Sequence, residues 1–132
     1  MPGSRHADAD ADLWYRACSN AGANVYPWGA SFDGMRCNGP SGPGQGSFTP
    51  VGSVATCAGG LPGLLDMAGN VQEWEDSCEG SAPSSGCADR GGAYLHHDTT
   101  PGESIRLQCS YRDTTARNIQ ADNNGIRCCS YD

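Results

Sequence analysis

Apolar residues recur at helical spacing near the N-terminus of the chain. Residues separated by three or four positions, which share one helix face, are Leu13, Trp14, Ala17, Cys18 and Ala21. Asp10 or Asp12 can cap the first turn, because a carboxylate accepts hydrogen bonds from the free amides there. We therefore predict a helix that ends at Asn20, before Gly22, with Trp14 in the core.

Strict alternation of apolar and polar side chains marks a strand nearer to the C-terminus. In residues 105–112 every second side chain is apolar, which is the pattern of a half-buried strand. A second strand is predicted over residues 126–130 and is entered through the turn at residues 122–125. Shorter strands are predicted at residues 73–77 and 92–95.

The rest of the chain shows neither helical nor strand periodicity and is predicted to form loops, as its content of glycine and proline also indicates. The 132 residues include 19 glycines and 8 prolines, many of them within residues 26–62. The sequence thus predicts an α+β domain that is loop-rich and has a small antiparallel sheet. Residues 1–10 are predicted to be a flexible lead-in to one compact domain over residues 11–132.

The cysteine content indicates the compartment. Eight cysteines in a small, loop-rich chain favour a disulfide framework and a secreted or cell-surface location, although the N-terminus has no apolar core of a secretion signal. A zinc site is not supported, since no C-x2-C pair occurs and no histidine stands at ligand spacing from a cysteine. A Cys37–Cys57 bond would close much of the long loop. A Cys78–Cys87 bond would bracket the turn-rich segment between those two residues.

The charged residues exclude two classes of partner. All eight basic residues are arginine, and the formal net charge is −7. An acidic surface disfavours nucleic acid and anionic membranes, which need clustered positive charge. No apolar run approaches the length of a membrane span. The charge is compatible with cation binding.

One segment, residues 63–76, combines the carboxylates of Asp66 and Glu73 with a glycine turn and a carbonyl-rich bend, a set that suits a hard cation. Together with five other segments in the same order, it resembles the formylglycine-generating enzyme (sulfatase-modifying factor) family, which has a C-type-lectin-like fold. The resemblance covers only the C-terminal half of a full family member. The other segments are Leu13-Trp14-Tyr15-Arg16-Ala17-Cys18, Tyr26-Pro27-Trp28-Gly29, Thr49-Pro50-Val51-Gly52, Arg90-Gly91-Gly92-Ala93-Tyr94 and Asn124-Gly125-Ile126-Arg127-Cys128.

The resemblance implies a structural calcium site in this segment. Asp66 and Glu73 would supply carboxylates, and Gly69 and Val71 would supply backbone carbonyls. The alternative is that Asp66 caps a turn and Glu73 pairs with an arginine. A second, weaker calcium site would use Asn38 and Gly39, but the acidic residue expected shortly before Thr49 is absent.

The resemblance also shows where catalysis would reside. In oxidase members of the family, two cysteines after the Gly-Gly-Ser-Tyr-like motif bind copper(I), a soft ion that requires thiolates. Here His96 falls near the first position and Pro101 near the second. We therefore expect no copper, no formylglycine generation and no catalytic residue. Iron binding by His96, His97 and Asp98 is disfavoured, because adjacent residues of an extended segment point to opposite faces.

The resemblance further implies a Cys18–Cys109 disulfide that ties the first helix to the strand at residues 105–112. Cys128 and Cys129 stay unassigned. They can form a strained vicinal bond, or they can exchange partners with Cys18 and Cys109.

The function hypothesis is a non-catalytic ligand-binding module, with a protein or a glycan as its ligand. Variable proteins of diversity-generating retroelements share this fold and place their variable residues in the corresponding C-terminal region. The alternatives are a copper or iron oxidase whose N-terminal half is completed by a partner segment, and a structural domain of a bacterial surface protein. The predicted ligand contacts are His96, His97, Asp98, Tyr111, Arg112, Asp113, Arg117, Asn118, Gln120 and Asn123.

Overall fold

The computed structural model of the chain describes residues 7–96 and 100–128. Within these ranges, no helix is long and apolar enough to cross a membrane. The regular elements are short and are separated by long loops. They are α1 (Leu13–Cys18), β1 (Gln72–Cys78), β2 (Gly86–Arg90), α2 (Glu103–Arg106), β3 (Asp113–Ala116) and β4 (Asn124–Ile126).

The first predicted helix is present but shorter than expected. Asp12 is its cap, and its side-chain Oδ1 accepts a hydrogen bond from the Tyr15 amide at 2.8 Å. The helix ends at Cys18 instead of continuing to Asn20. Asn20 and Ala21 adopt left-handed backbone conformations, with φ of 52° and 57°, which a right-handed helix cannot include.

The four strands form one sheet in the order β3-β2-β1-β4. β1 confirms the prediction for residues 73–77. In the strand predicted over residues 126–130, Ile126 lies in β4, residues 127 and 128 are in no strand, and residues 129 and 130 lie outside the described residues. The β1–β2 and β2–β3 pairs are antiparallel, but β4 runs parallel to β1. The sheet is therefore mixed, not antiparallel as predicted. The long connection between β1 and β4 permits this, because parallel neighbours need a crossover of a dozen residues or more.

The strand predicted over residues 105–112 is wrong. The segment begins inside α2 and continues through turns to β3. The expected alternation is reversed at its start, since Ile105 is 44% exposed whereas Arg106 is only 7% exposed. The short strand predicted at residues 92–95 is also absent, because Gly91 and Gly92 have positive φ and end the extended run of β2.

The apolar interior consists of two small clusters, each reinforced by a disulfide. One contains Tyr26, Cys37, Cys57, Ala68 and Leu107, and the other contains Trp14, Cys18, Met67 and Cys109. The disulfides are Cys18–Cys109, Cys37–Cys57 and Cys78–Cys87, the same pairs that the sequence suggested. Cys128 is exposed and is not bonded to any residue in the described ranges, and Cys129 lies outside them.

A buried arginine connects the helix to the sheet. Arg90, at the end of β2, is 1% exposed, and it pairs with Asp12 and with Glu75 Oε2, the latter at 3.1 Å. Its Nη1 donates to the carbonyl oxygens of Cys109 and Tyr111 at 3.2 Å. Its guanidinium also lies over the Trp14 ring, 5.3 Å from the centroid. Burial raises the pKa of Glu75, and the Arg90 charge opposes that rise.

We predict that Arg90→Met lowers the free energy of unfolding by roughly 3–5 kcal/mol, because it leaves two carboxylates partly buried without their counter-charge. Urea denaturation without reductant would measure the change. The control is Arg16→Met, since Arg16 pairs with Asp10 in an ion pair whose side chains are 47% and 96% exposed, and its loss should cost less than about 1 kcal/mol. Equal losses in the two variants would contradict the role given to Arg90.

Candidate functional site

The segment between Asp66 and Glu73 crosses the centre of the domain and is held by its neighbours on both sides. Asp66 has φ of 55°, and its Oδ2 accepts from the Gly52 amide at 2.6 Å. Asn70 joins two loops. Its backbone amide donates to the backbone carbonyl of Asn38 at 2.7 Å, and its side-chain Oδ1 accepts from the backbone amide of Thr49 at 2.8 Å. These contacts make the segment a structural joint between distant parts of the chain.

Gly69 is required by close packing at this joint. Its φ is +71°, and a Cβ there would lie 2.7 Å from the carbonyl carbon and oxygen of Asn38. Only glycine meets both conditions without a backbone shift. The glycine of the motif therefore has a packing role that is independent of any bound ion.

The carboxylate of Glu73 is 6% exposed and already has three donors around it. Trp14 Nε1 donates to Oε2 at 2.6 Å, and Arg127 Nε lies 2.9 Å from both carboxylate oxygens. Arg127 Nη2 completes the ion pair with Oε1 at 2.7 Å. The same nitrogen donates to the carbonyl oxygens of Leu65 and Asp66, at 2.9 and 3.2 Å.

These contacts do not fit a calcium ion bound by Glu73. A calcium ligand offers its oxygens to the ion, whereas both oxygens of Glu73 face the Arg127 guanidinium. At the weaker site, the Asn38 Oδ1 accepts from the Gly44 amide at 3.1 Å, and the Glu103 carboxylate near Gly39 accepts from the Ser41 amide and hydroxyl at 3.0 and 2.6 Å. Calcium coordination by Asp66, Gly69, Val71 and Glu73, or by Asn38 and Gly39, stays a prediction that the observed contacts do not support.

The position expected for the first copper cysteine holds a half-buried imidazole. His96 Nε2 accepts a weak hydrogen bond from the Ala93 amide at 3.4 Å. Burial and then the Arg106 charge lower the pKa of His96 to about 4, while Asp113 opposes them. The imidazole is therefore neutral at neutral pH.

Arg106 organises the surroundings of His96. Its Nη1 pairs with Asp113 Oδ2 at 3.1 Å, and its Nε and Nη2 donate to the carbonyl oxygens of Pro101 and Thr100. Its guanidinium also contacts the Tyr111 ring, 5.8 Å from the centroid. The surroundings of His96 thus combine a neutral imidazole with a buried arginine that is paired with Asp113.

The predicted ligand contacts do not all come together. His96, Tyr111 and Asp113 gather around Arg106. Arg112 is half-buried just before β3, whereas Arg117, Asn118 and Gln120 follow β3 and are exposed. Asn123 precedes β4 at the opposite edge of the sheet, where its carbonyl accepts from Gln72. His97 and Asp98 lie outside the described residues.

A shallow cavity of about 280 Å³ lies beside the Cys78–Cys87 disulfide. It is lined by Trp74, Glu75, Cys87 and Arg117. Trp74 and Cys87 are on the same face of the sheet, because Trp74 pairs with Asp89 across the strands and Cys87 is two residues from Asp89. The lining thus includes an aromatic residue and an exposed arginine, together with Glu75, whose carboxylate pairs with Arg90.

Both the sequence and the fold are similar to those of known proteins. The sequence model of the FGE-sulfatase family, described as the sulfatase-modifying factor enzyme 1-like domain, matches residues 10–131. The chain belongs to this family. The solved structure titled "Crystal Structure of CarF" is similar, with a TM-score of 0.58 and 19% identity over 86% of this chain and 42% of that chain. Comparison with curated proteins gives no significant match.

Family membership and structural similarity agree on the fold. It is the formylglycine-generating-enzyme-like, C-type-lectin-like fold, here with three disulfides in the described residues. The chain spans less than half of the CarF chain.

Two residues that organise the site, Asn70 and Arg106, were not predicted, whereas Arg127 fulfils the alternative in which Glu73 pairs with an arginine. Asn70 lies inside the recognised motif, but its side chain was assigned no contact. The absence of lysine was the available signal for the two arginines, because arginine is the preferred cation for buried pairs.

We predict that His96→Gln flattens the acid side of the stability profile. The pKa of His96 is about 4 when folded and about 6.5 when unfolded, so between these values the unfolded chain binds more protons. Its contribution to stability is complete above pH 6.5 and is lost as the pH falls toward 4. Urea denaturation at several pH values should show that the free energy of unfolding falls less between pH 6.5 and 4 in the variant than in the wild type. Parallel plots of this free energy against pH for the two proteins would refute the prediction.

Proposed function

We propose that this domain is a non-catalytic, disulfide-stabilised binding module that recognises a glycan. The observation that carries the proposal is that His96 and Pro101, not cysteines, stand near the positions where the resemblance places the two copper-binding residues. Arg106 supports it, since its charge lies close to His96 and would repel a metal cation bound there.

The cavity beside the Cys78–Cys87 disulfide supports a glycan as the ligand. Its volume of about 280 Å³ is just below the range of roughly 300–1,000 Å³ for small-molecule sites, which suits a single ring. The Trp74 ring can pack on the apolar face of a saccharide, and the Arg117 guanidinium can reach its hydroxyl groups, whereas the Glu75 carboxylate is held by its pair with Arg90. Arg117 is exposed, and its Nη1 donates to the Gly80 carbonyl at a long distance of 3.4 Å.

The disulfides support the proposed cellular location of the domain. Three disulfides favour an oxidising compartment, and we propose that the domain is secreted or displayed at the cell surface. A segment that supplies the other half of the family fold is part of this proposal, because the chain spans 42% of the similar CarF chain. Variation of the exposed residues after β3, as in retroelement variable proteins, would change the ligand without changing the scaffold.

We predict saturable binding to at least one member of a diverse glycan array, with the disulfides intact. Arg117→Ala should weaken the Kd for that glycan about tenfold or more, measured by calorimetry, because it removes one wall of the cavity. Arg16→Ala is the matched control and should bind normally. Binding to no glycan would contradict the proposal, as would binding only to cell-surface proteins that Arg117→Ala leaves unchanged.

The alternative is a metal-dependent oxidase completed by a partner segment, and family membership is its support. Titration of the domain with copper(I), and separately with iron(II), distinguishes the two functions. We predict no stoichiometric uptake at His96. One equivalent of metal that is lost in the His96→Ala and His97→Ala variants would favour the oxidase.

A further inference from the structure

The Arg127 guanidinium lies in a setting built from oxygen atoms. Its Nε and Nη2 face both carboxylate oxygens of Glu73 at 2.7–2.9 Å, and Nη2 also donates to the carbonyl oxygens of Leu65 and Asp66. Carboxylate and carbonyl oxygens are the donors that a hard cation takes from a protein. Here the cation among them is a side chain of the same chain.

The arrangement of the strands brings Arg127 to this place. β4 runs parallel to β1 with Gly125 opposite Glu73, so that the residue just after β4 reaches the carboxylate. The side chains of Glu73 and Arg127 are 8% and 23% exposed, respectively. A carboxylate this buried requires a counter-charge, because water is largely excluded from it. Arg127 supplies that charge and also bonds the bend at residues 65–66.

We propose that Arg127 is the resident cation of the segment from Leu65 to Glu73, so that this domain folds and stays stable without a divalent metal ion. The guanidinium neutralises Glu73 and collects the two carbonyls of the bend. A calcium ion on the same carboxylate would place its two positive charges next to that of Arg127, and the repulsion would exclude it. The proposal does not depend on which ligand the domain binds.

The test is thermal unfolding of the domain with oxidised disulfides, in EDTA and in millimolar calcium. We expect the wild-type Tm to agree within about 1 °C in the two conditions, since a ligand that does not bind the folded state cannot stabilise it. Arg127→Ala should lower the Tm in EDTA by roughly 5–10 °C. Calcium should then restore part of this loss, because the oxygens have lost their cation and gained space.

Two variants control for a general loss of packing. Arg127→Ala combined with Glu73→Gln should not respond to calcium, because the carboxylate that would bind the ion is gone. Arg16→Ala should keep the wild-type Tm, since Arg16 is exposed. If Arg127→Ala does not fold, the proposal is tested by measuring how much calcium stays bound to the wild-type protein after dialysis. For the wild type, a Tm that depends on calcium or one equivalent of bound calcium would overturn the proposal. For Arg127→Ala, a Tm equal to that of the wild type, or a Tm that calcium does not raise, would also overturn it.

Discussion

Arg90 is buried where the cap of α1, strand β1 and the segment leading to β3 meet, and its guanidinium contacts all three. The two apolar clusters are small, so the interior depends on pairing charges as much as on excluding water from apolar surface. Asp12, Glu73 and Glu75 are each paired with an arginine, whose planar group can bond several acceptors at once. Removing one such arginine affects several elements together.

Arginine–carboxylate pairs also occur at Arg106 and Arg127. These pairs distinguish the residues that hold the scaffold from those at the surface. Arg127 holds the recognised motif through Glu73, so this motif maintains the fold. Arg106 lies close to His96, near the position that the resemblance assigns to the first copper ligand of oxidase members. The cavity beside the Cys78–Cys87 disulfide adjoins one of these pairs, because Glu75, the partner of Arg90, is among its lining residues.

Much of the fold could be predicted from the sequence, because several local rules and the family motifs agree. Asp12 as a helix cap and β1 follow from local patterns. β2, β3 and α2 could not be predicted, because their positions depend on long-range partners. Residues 105–112 alternate like a strand, but burial of Arg106 against Asp113 overrides that alternation. For the same reason, the contact between Arg127 and Glu73, 54 residues apart, has no local signature.

The central claim is that arginine–carboxylate pairs, not metal ions, hold this family scaffold together. Anomalous diffraction from crystals of the domain grown in calcium tests it most directly. The account predicts the Arg127 guanidinium against both oxygens of Glu73 and no calcium peak within coordination distance of Glu73. A calcium peak between Asp66 and Glu73, with Arg127 turned away from the carboxylate, would contradict it.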